Sequence, residues 1–177
     1  MRDQSTNTSL LATAKAVAPD GIAACLYPGL AQLPHFNPDD DGPRLPETPA
    51  DLRAQIRAAD AVLFSTPEYA GALPGSFKNL LDWAVGDDRP GSLNGKPVAW
   101  VNVSPRRAVL AHESLRHVLG YLGAHIVEAA CVDIPVTRDM VGDDGLVASD
   151  AIRRQLLAAL TALMASVSPR RGLSQPG

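Results

Sequence analysis

Short apolar runs alternate with helix-period stripes along this chain, and that order restricts the fold more than any single residue does. Residues 61–65, Ala-Val-Leu-Phe-Ser, read as a strong buried strand, and residues 97–103 as another. Residues 124–132 form a third run with alternating character, and the shorter run 21–26, Gly-Ile-Ala-Ala-Cys-Leu, has the composition of a buried parallel strand. Between them lie five stripes at helical spacing. The first is Leu10, Leu11, Ala14 and Val17 within 5–18, the second Leu52, Ile56 and Ala59, and the third Phe77, Leu80, Leu81 and Ala84. Ala111, Leu115, Val118, Leu119 and Leu122 make the fourth, and Ile152, Leu156, Leu160, Leu163 and Val167 the fifth. Four strands and five helices in this order predict an α/β fold: a parallel sheet with helices on both faces, joined by right-handed crossovers into a three-layer sandwich. The first helix breaks the alternation, because no strand precedes it.

Length and charge narrow the function. A chain of 177 residues predicts a single domain over residues 1–168, followed by a polar tail at 169–177. Lys and Arg total 16, Asp and Glu 19, and the two signs are interleaved for a net charge of -3, which argues against a nucleic-acid binder. No apolar run reaches the roughly 20 residues of a membrane span. The first residues, Met-Arg-Asp-Gln-Ser, are polar, so no signal peptide is expected and the reading is cytoplasmic. Cys25 and Cys131, both on predicted strands, read as buried thiols rather than nucleophiles. His35, His112, His117 and His125 have no metal-ligand spacing. The sequence contains no G-x-G-x-x-G, no P-loop, and no G-x-S-x-G around Ser104.

Ligands of an open parallel sheet bind at the carboxyl ends of its strands, and two segments there have suitable chemistry. Residues 66–75, Thr-Pro-Glu-Tyr-Ala-Gly-Ala-Leu-Pro-Gly, follow the strongest strand. Two prolines stiffen this loop and Gly71 permits close backbone approach, which suits the edge of a flat heterocycle; an ordinary Pro-rich surface loop is the other reading. At the N-terminus Arg2, Ser5, Thr6 and Asn7 precede a helix, which suits a phosphate or, more simply, helix capping.

Residues 65–83, Ser-Thr-Pro-Glu-Tyr-Ala-Gly-Ala-Leu-Pro-Gly-Ser-Phe-Lys-Asn-Leu-Leu-Asp-Trp, resemble the central signature of the NADPH-dependent FMN reductase family, which includes chromate, quinone and azo-dye reductases. Residues 33–39, Leu-Pro-His-Phe-Asn-Pro-Asp, are similar to a second family segment, as are 94–98 (Asn-Gly-Lys-Pro-Val) and the pair Leu115-Arg116. The resemblance spans about residues 2–165. It implies a flavodoxin-like fold of strand order 2-1-3-4-5 and an FMN-dependent NAD(P)H oxidoreductase. Electrons would pass from NADPH or NADH through FMN to a small-molecule acceptor: a quinone, dye, metal ion or flavin. By the same resemblance Arg2, Ser5, Thr6 and Asn7 hold the FMN phosphate. Thr66, Pro67, Glu68, Tyr69, Ala70 and Gly71 lie against the isoalloxazine, and Ser104 borders it from the far side. No catalytic acid or base and no metal is expected. A homodimer or homotetramer is implied, with Phe77, Leu80, Leu81 and Trp83 weighed as its surface or as core.

Three departures accompany the resemblance. Ala70 replaces the family's Asn, and Ser104-Pro105-Arg106-Arg107 replaces a Gly-rich stretch, which raises the idea that two arginines meet an NADPH phosphate. The Gly-Ser and the first strand that precede the family's phosphate loop are absent, so the expectation is that about ten upstream residues supply a central strand. The alternatives are a non-catalytic flavin-binding or redox-sensing protein of the same fold, and a flavin-free interaction protein.

Overall fold

The computed structural model describes residues 5–167. Arg2 and the tail at 169–177 lie outside the described residues. Five helices are present: α1 (Thr6–Ala16), α2 (Glu47–Ala58), α3 (Gly75–Val85), α4 (Val109–Tyr121) and α5 (Asp150–Ala165). The strands are β1 (Val62–Phe64), β2 (Pro97–Asn102), β3 (His125–Ile126) and β4 (Val132–Asp133).

The sheet is parallel and is organised by β2. Val62, Leu63 and Phe64 pair with Val98, Ala99 and Trp100 on one side, while β3 and β4 both pair with β2 on the other. Side chains alternate across β2 with the period of two that a strand imposes. Val98 and Trp100 pack with Leu52 and Ile56 of α2, Leu81 and Trp83 of α3, and Leu115 and Leu119 of α4. Val101 packs with Leu10 and Ala14 of α1 and Leu156 and Leu160 of α5, and Ala99 with Leu163 of α5. The three-layer α/β sandwich is therefore formed, with helices on both faces.

Three strand-level expectations need correction. Residues 21–26 are not a strand: they run as coil, with Cys25 exposed and Leu26 38% exposed. A strand forms only where its main-chain groups find a neighbouring edge, and no described strand pairs with this run. The order 2-1-3-4-5 is accordingly not formed among the described residues. The third correction concerns 124–132, which is split in two by a 3₁₀ turn at Glu128–Ala130. Ile126 sits opposite Val98 and Val132 opposite Val101, so the chain uses six steps where β2 uses three. The surplus residues bulge out as the turn, and buried Ala130 plugs it against α5.

Phe77, Leu80, Leu81 and Trp83 of α3 are all buried, so this face of the helix is core and is not a subunit surface. The long segment between α1 and α2 is docked rather than loose. Asn79 Oδ1 accepts from the Phe36 N–H and its Nδ2 donates to the Pro34 carbonyl, each at 2.8 Å. Trp83 Nε1 donates to the same carbonyl, at 2.8 Å, and the Phe36 ring meets the Trp83 ring edge-on at 5.0 Å. Buried Arg53 of α2 completes the anchor, donating to the Trp83 carbonyl at 2.7 Å and pairing with Asp41 at 2.8 Å. A Cβ on Gly86 would lie 1.8 Å from Asp41 Oδ2, so any larger residue there would displace the Asp41–Arg53 pair.

Replacing Asn79 with Ala removes one donor and one acceptor from a partly buried contact. Asn79→Ala is expected to lower unfolding free energy by about 1–2 kcal/mol in urea denaturation; an unchanged midpoint would show that the 33–37 segment is not held by this side chain.

Candidate functional site

The carboxyl ends of β1 and β2 and the start of α1 meet through side chains. Ser65, one residue past β1, shares its single hydroxyl proton between Asn7 Oδ1 at 2.8 Å and the Val101 carbonyl at 2.9 Å. One hydroxyl therefore ties the first turn of α1 to the ends of both strands. The start of α1 retains donors for an anion. Ser5 is the N-cap residue, yet its side chain makes no capping hydrogen bond, and the first turn carries no acidic residue. Four main-chain N–H groups at a helix start lack intrahelical partners, and the dipole there favours negative charge. A helix start of this kind suits an anion.

The loop after β1 takes a defined shape. Tyr69 and Ala72 exchange both main-chain hydrogen bonds at 3.0 Å, and the two residues between them, Ala70 and Gly71, have φ of 50° and 71°. Two successive positive φ values across such a pair make a type I′ hairpin turn. Gly71 suits this conformation, and a Cβ there would also lie 3.3 Å from Leu110 Cδ1. Ala70 does not suit it, because a left-handed alanine costs about 1–2 kcal/mol where Asn or Gly is tolerated. The departure from the family's Asn therefore has a backbone consequence in addition to a lost amide.

Within this loop the side chains mostly serve the protein. Thr66 is buried, with its hydroxyl on the Pro67 carbonyl at 3.2 Å, so the loop offers a ligand main-chain groups at this position. The Glu68 carboxylate accepts from the Ala111 N–H at 3.1 Å. That N–H lies in the first turn of α4, a helix whose N-cap residue, Ala108, has no side chain to cap it. A carboxylate at a helix start also complements the dipole. Glu68 thus fastens the loop after β1 to α4. Tyr69 is 61% exposed, and Ala70 and Gly71 are exposed beside it.

Ser104 opens the loop after β2, and its placement depends on Asn102, a residue the motif reading passed over. Asn102 is 2% exposed. Its Oδ1 accepts from the Ser104 N–H at 3.0 Å, and its Nδ2 donates to Asp133 at 2.8 Å and to the Arg107 carbonyl. A buried polar residue at the end of a strand was the available signal. Ser5, Thr6, Asn7, residues 66–71 and Ser104 are thus all carried at one end of the sheet, linked through Ser65, Asn102 and Glu68.

Cys131 and His112 are held by the fold. Burial pushes the Cys131 thiol up, so its thiolate is disfavoured. His112 is buried, its Nδ1 2.9 Å from the Ala108 carbonyl, and the other three histidines are exposed. Among the described residues no cluster of His, Cys, Asp or Glu could hold a metal ion, and no helix is long and apolar enough to cross a membrane.

This arrangement of α1 start, hairpin loop and strand end sits on sequence that matches a known family across residues 1–137. The chain belongs to the NADPH-dependent FMN reductase family. An NAD(P)H-dependent FMN reductase of Pseudomonas aeruginosa is 32% identical, over 97% of this chain and 93% of that protein. A 2-hydroxy-1,4-benzoquinone reductase of a Burkholderia species is 28% identical over the same shares. Among solved structures, the flavoenzyme NAD(P)H:(acceptor) oxidoreductase FerB of Paracoccus denitrificans superposes with a TM-score of 0.75 at 28% identity, covering 94% of this chain and 92% of that one. The FMN reductase fold of this chain is flavodoxin-like, as the sequence resemblance implied.

Ala70→Asn puts a residue tolerant of left-handed backbone at the first position of the hairpin turn. It is expected to raise stability by about 0.5–1 kcal/mol, seen as a higher thermal midpoint; a lower midpoint would mean that the turn is not type I′.

Proposed function

We propose that this chain is an FMN-dependent NAD(P)H oxidoreductase that reduces a quinone or a flavin. The observation that carries the reading is the convergence, at one edge of the sheet, of an uncapped helix start and a stiff hairpin loop within the family signature. When bound, FMN supplies the redox chemistry, taking a hydride from the nicotinamide and returning electrons to the acceptor. The work of the chain is to bind and orient. The α1 N–H groups, Ser5, Thr6 and Asn7 would hold the phosphate, and the family signature alone assigns Arg2, outside the described residues, to the same group. Asn7 is fixed for this by Ser65, which occupies its Oδ1 and leaves its Nδ2 as a donor. Residues Thr66 to Gly71 present main-chain donors and acceptors to the ring edge, with Ser104 on the opposite side. Pro67, Pro74 and the Glu68 contact to α4 hold that loop in one shape, so little ordering entropy is lost on binding. No residue needs to move a proton for hydride transfer itself, which agrees with the structural roles of Glu68 and His112.

The acceptor is a small molecule, and Tyr69, Val109 and Leu110 are the apolar surface next to the ring loop, 61%, 49% and 54% exposed. A homodimer covering this patch fits better than one formed through α3, whose apolar face is buried. Light scattering after gel filtration is expected to give twice the chain mass, and Leu110→Glu to give a monomer. A monomeric wild type would remove the dimer.

Purified protein mixed with FMN is expected to retain flavin absorbance after gel filtration and to oxidise NADPH when benzoquinone is added. Retained flavin without turnover would favour a flavin-binding or sensing role. No retained flavin would favour an interaction protein and overturn the proposal.

A further inference from the structure

The loop between β2 and α4 carries two adjacent cations in an unusual backbone. Arg107 and Ala108 have φ of 71° and 46°, two consecutive non-glycine residues in the left-handed region. Each such residue costs about 1–2 kcal/mol unless its surroundings enforce it. The enforcing group is Asn102, whose buried amide donates to the Arg107 carbonyl while its Oδ1 accepts from the Ser104 N–H. Two further bonds close the turn: Arg107 N–H to the Ser104 carbonyl at 3.0 Å, and Arg106 N–H to Ser104 Oγ at 3.2 Å. The result is a firmly built turn whose two guanidinium groups face solvent. The Arg107 side chain is 77% exposed, and Arg106 is exposed as well. Among the described residues Asp133 faces them, 4.0 Å from Arg107 Nη2 and itself half-exposed, too distant for a strong pair.

The position of this turn gives the charge a meaning. It starts at Ser104, just past β2, and ends three residues before Ala111, whose N–H donates to Glu68 of the hairpin loop. In the function proposed above, the FMN phosphate is assigned to the start of α1. A second, separate anion site at this edge therefore matches the other phosphorylated ligand of the reaction. The chain as a whole is negative, at -3, so the pair is not part of a general basic surface. Arginine forks match phosphate oxygens in pairs and hold their charge at any working pH.

We infer that Arg106 and Arg107 bind the 2′-phosphate of NADPH and make this chain select NADPH over NADH. The inference rests on the oxidoreductase reading above, and it concerns residues that replace the family's Gly-rich stretch. NADH lacks the 2′-phosphate and has no group to engage both forks.

The test combines a binding arm and a kinetic arm on the full chain. By calorimetry, the wild type is expected to bind adenosine 2′,5′-bisphosphate at least about tenfold more tightly than 5′-AMP, and the double variant Arg106→Gln/Arg107→Gln to lose that difference. With FMN bound and benzoquinone as acceptor, the ratio of kcat/KM for NADPH to that for NADH is expected to fall at least about tenfold in the double variant. Both side chains are exposed, so circular dichroism and thermal midpoint should match the wild type; a double variant that does not fold is replaced by each single variant, expected to show a partial loss. A wild type with no preference for the bisphosphate, or a preference that survives in the double variant, overturns the inference. Failure of the wild type to oxidise either nucleotide counts against the oxidoreductase reading alone, because the binding arm still decides the role of the arginines.

Discussion

Every described strand pairs with β2, and the rest of the molecule is arranged by that single element. A strand hydrogen-bonded on both edges and covered on both faces cannot hold a polar side chain without a partner. Val98, Ala99 and Val101 are accordingly fully buried and apolar. Asn102 stands where the strand ends, and its three hydrogen-bonding contacts convert the end of the core into the start of the site. Core and site thus share one backbone: Trp100 and Val101 pack the helices, and the next residue sets the turn that presents Ser104, Arg106 and Arg107.

The same economy appears in the signature segment. Its lysine, asparagine, aspartate and tryptophan look functional when read as a motif. In the structure Asn79 and Trp83 serve the 33–37 segment, Lys78 pairs with Asp82 one turn along α3, and Arg53 binds the Trp83 carbonyl. The two most recognisable stretches of the chain are therefore in contact with each other. Their common task is to dock a long connection against α3. Glu68 follows the same pattern: an acid in a candidate binding loop whose carboxylate is committed to the start of α4.

Asp87 shows how the far end of the sheet is closed. Burial works to raise its pKa, yet hydrogen bonds from Arg89 and Arg57 outweigh that and hold its carboxyl below the usual range. A depressed carboxylate contributes stability above its unfolded pKa and loses it as pH falls through the folded value. The contribution is present at neutral pH and disappears in acid. Polar networks thus secure both ends of the sheet: Asp87 with Arg57 and Arg89 at one, and Asn102 with Ser104, Arg107 and Asp133 at the other.

The sequence by itself determined the α/β class, the five helices, the strands β1 and β2 and the loops at their carboxyl ends. These follow from periodicity and from Gly and Pro placement, which are local properties. Tertiary structure decided the rest. Residues 21–26 have strand composition but pair with no described strand, and 124–132 read as one strand until its register against β2 expels a turn. The burial of α3, the left-handed backbone at Arg107, and the roles of Glu68 and Asn102 likewise depend on tertiary partners: Asn102 reaches the Arg107 carbonyl 5 residues on, and Glu68 reaches the Ala111 N–H 43 residues on. Hydrogen-bond pairing and strand register are relations between distant segments, and a pattern read along one segment does not contain them.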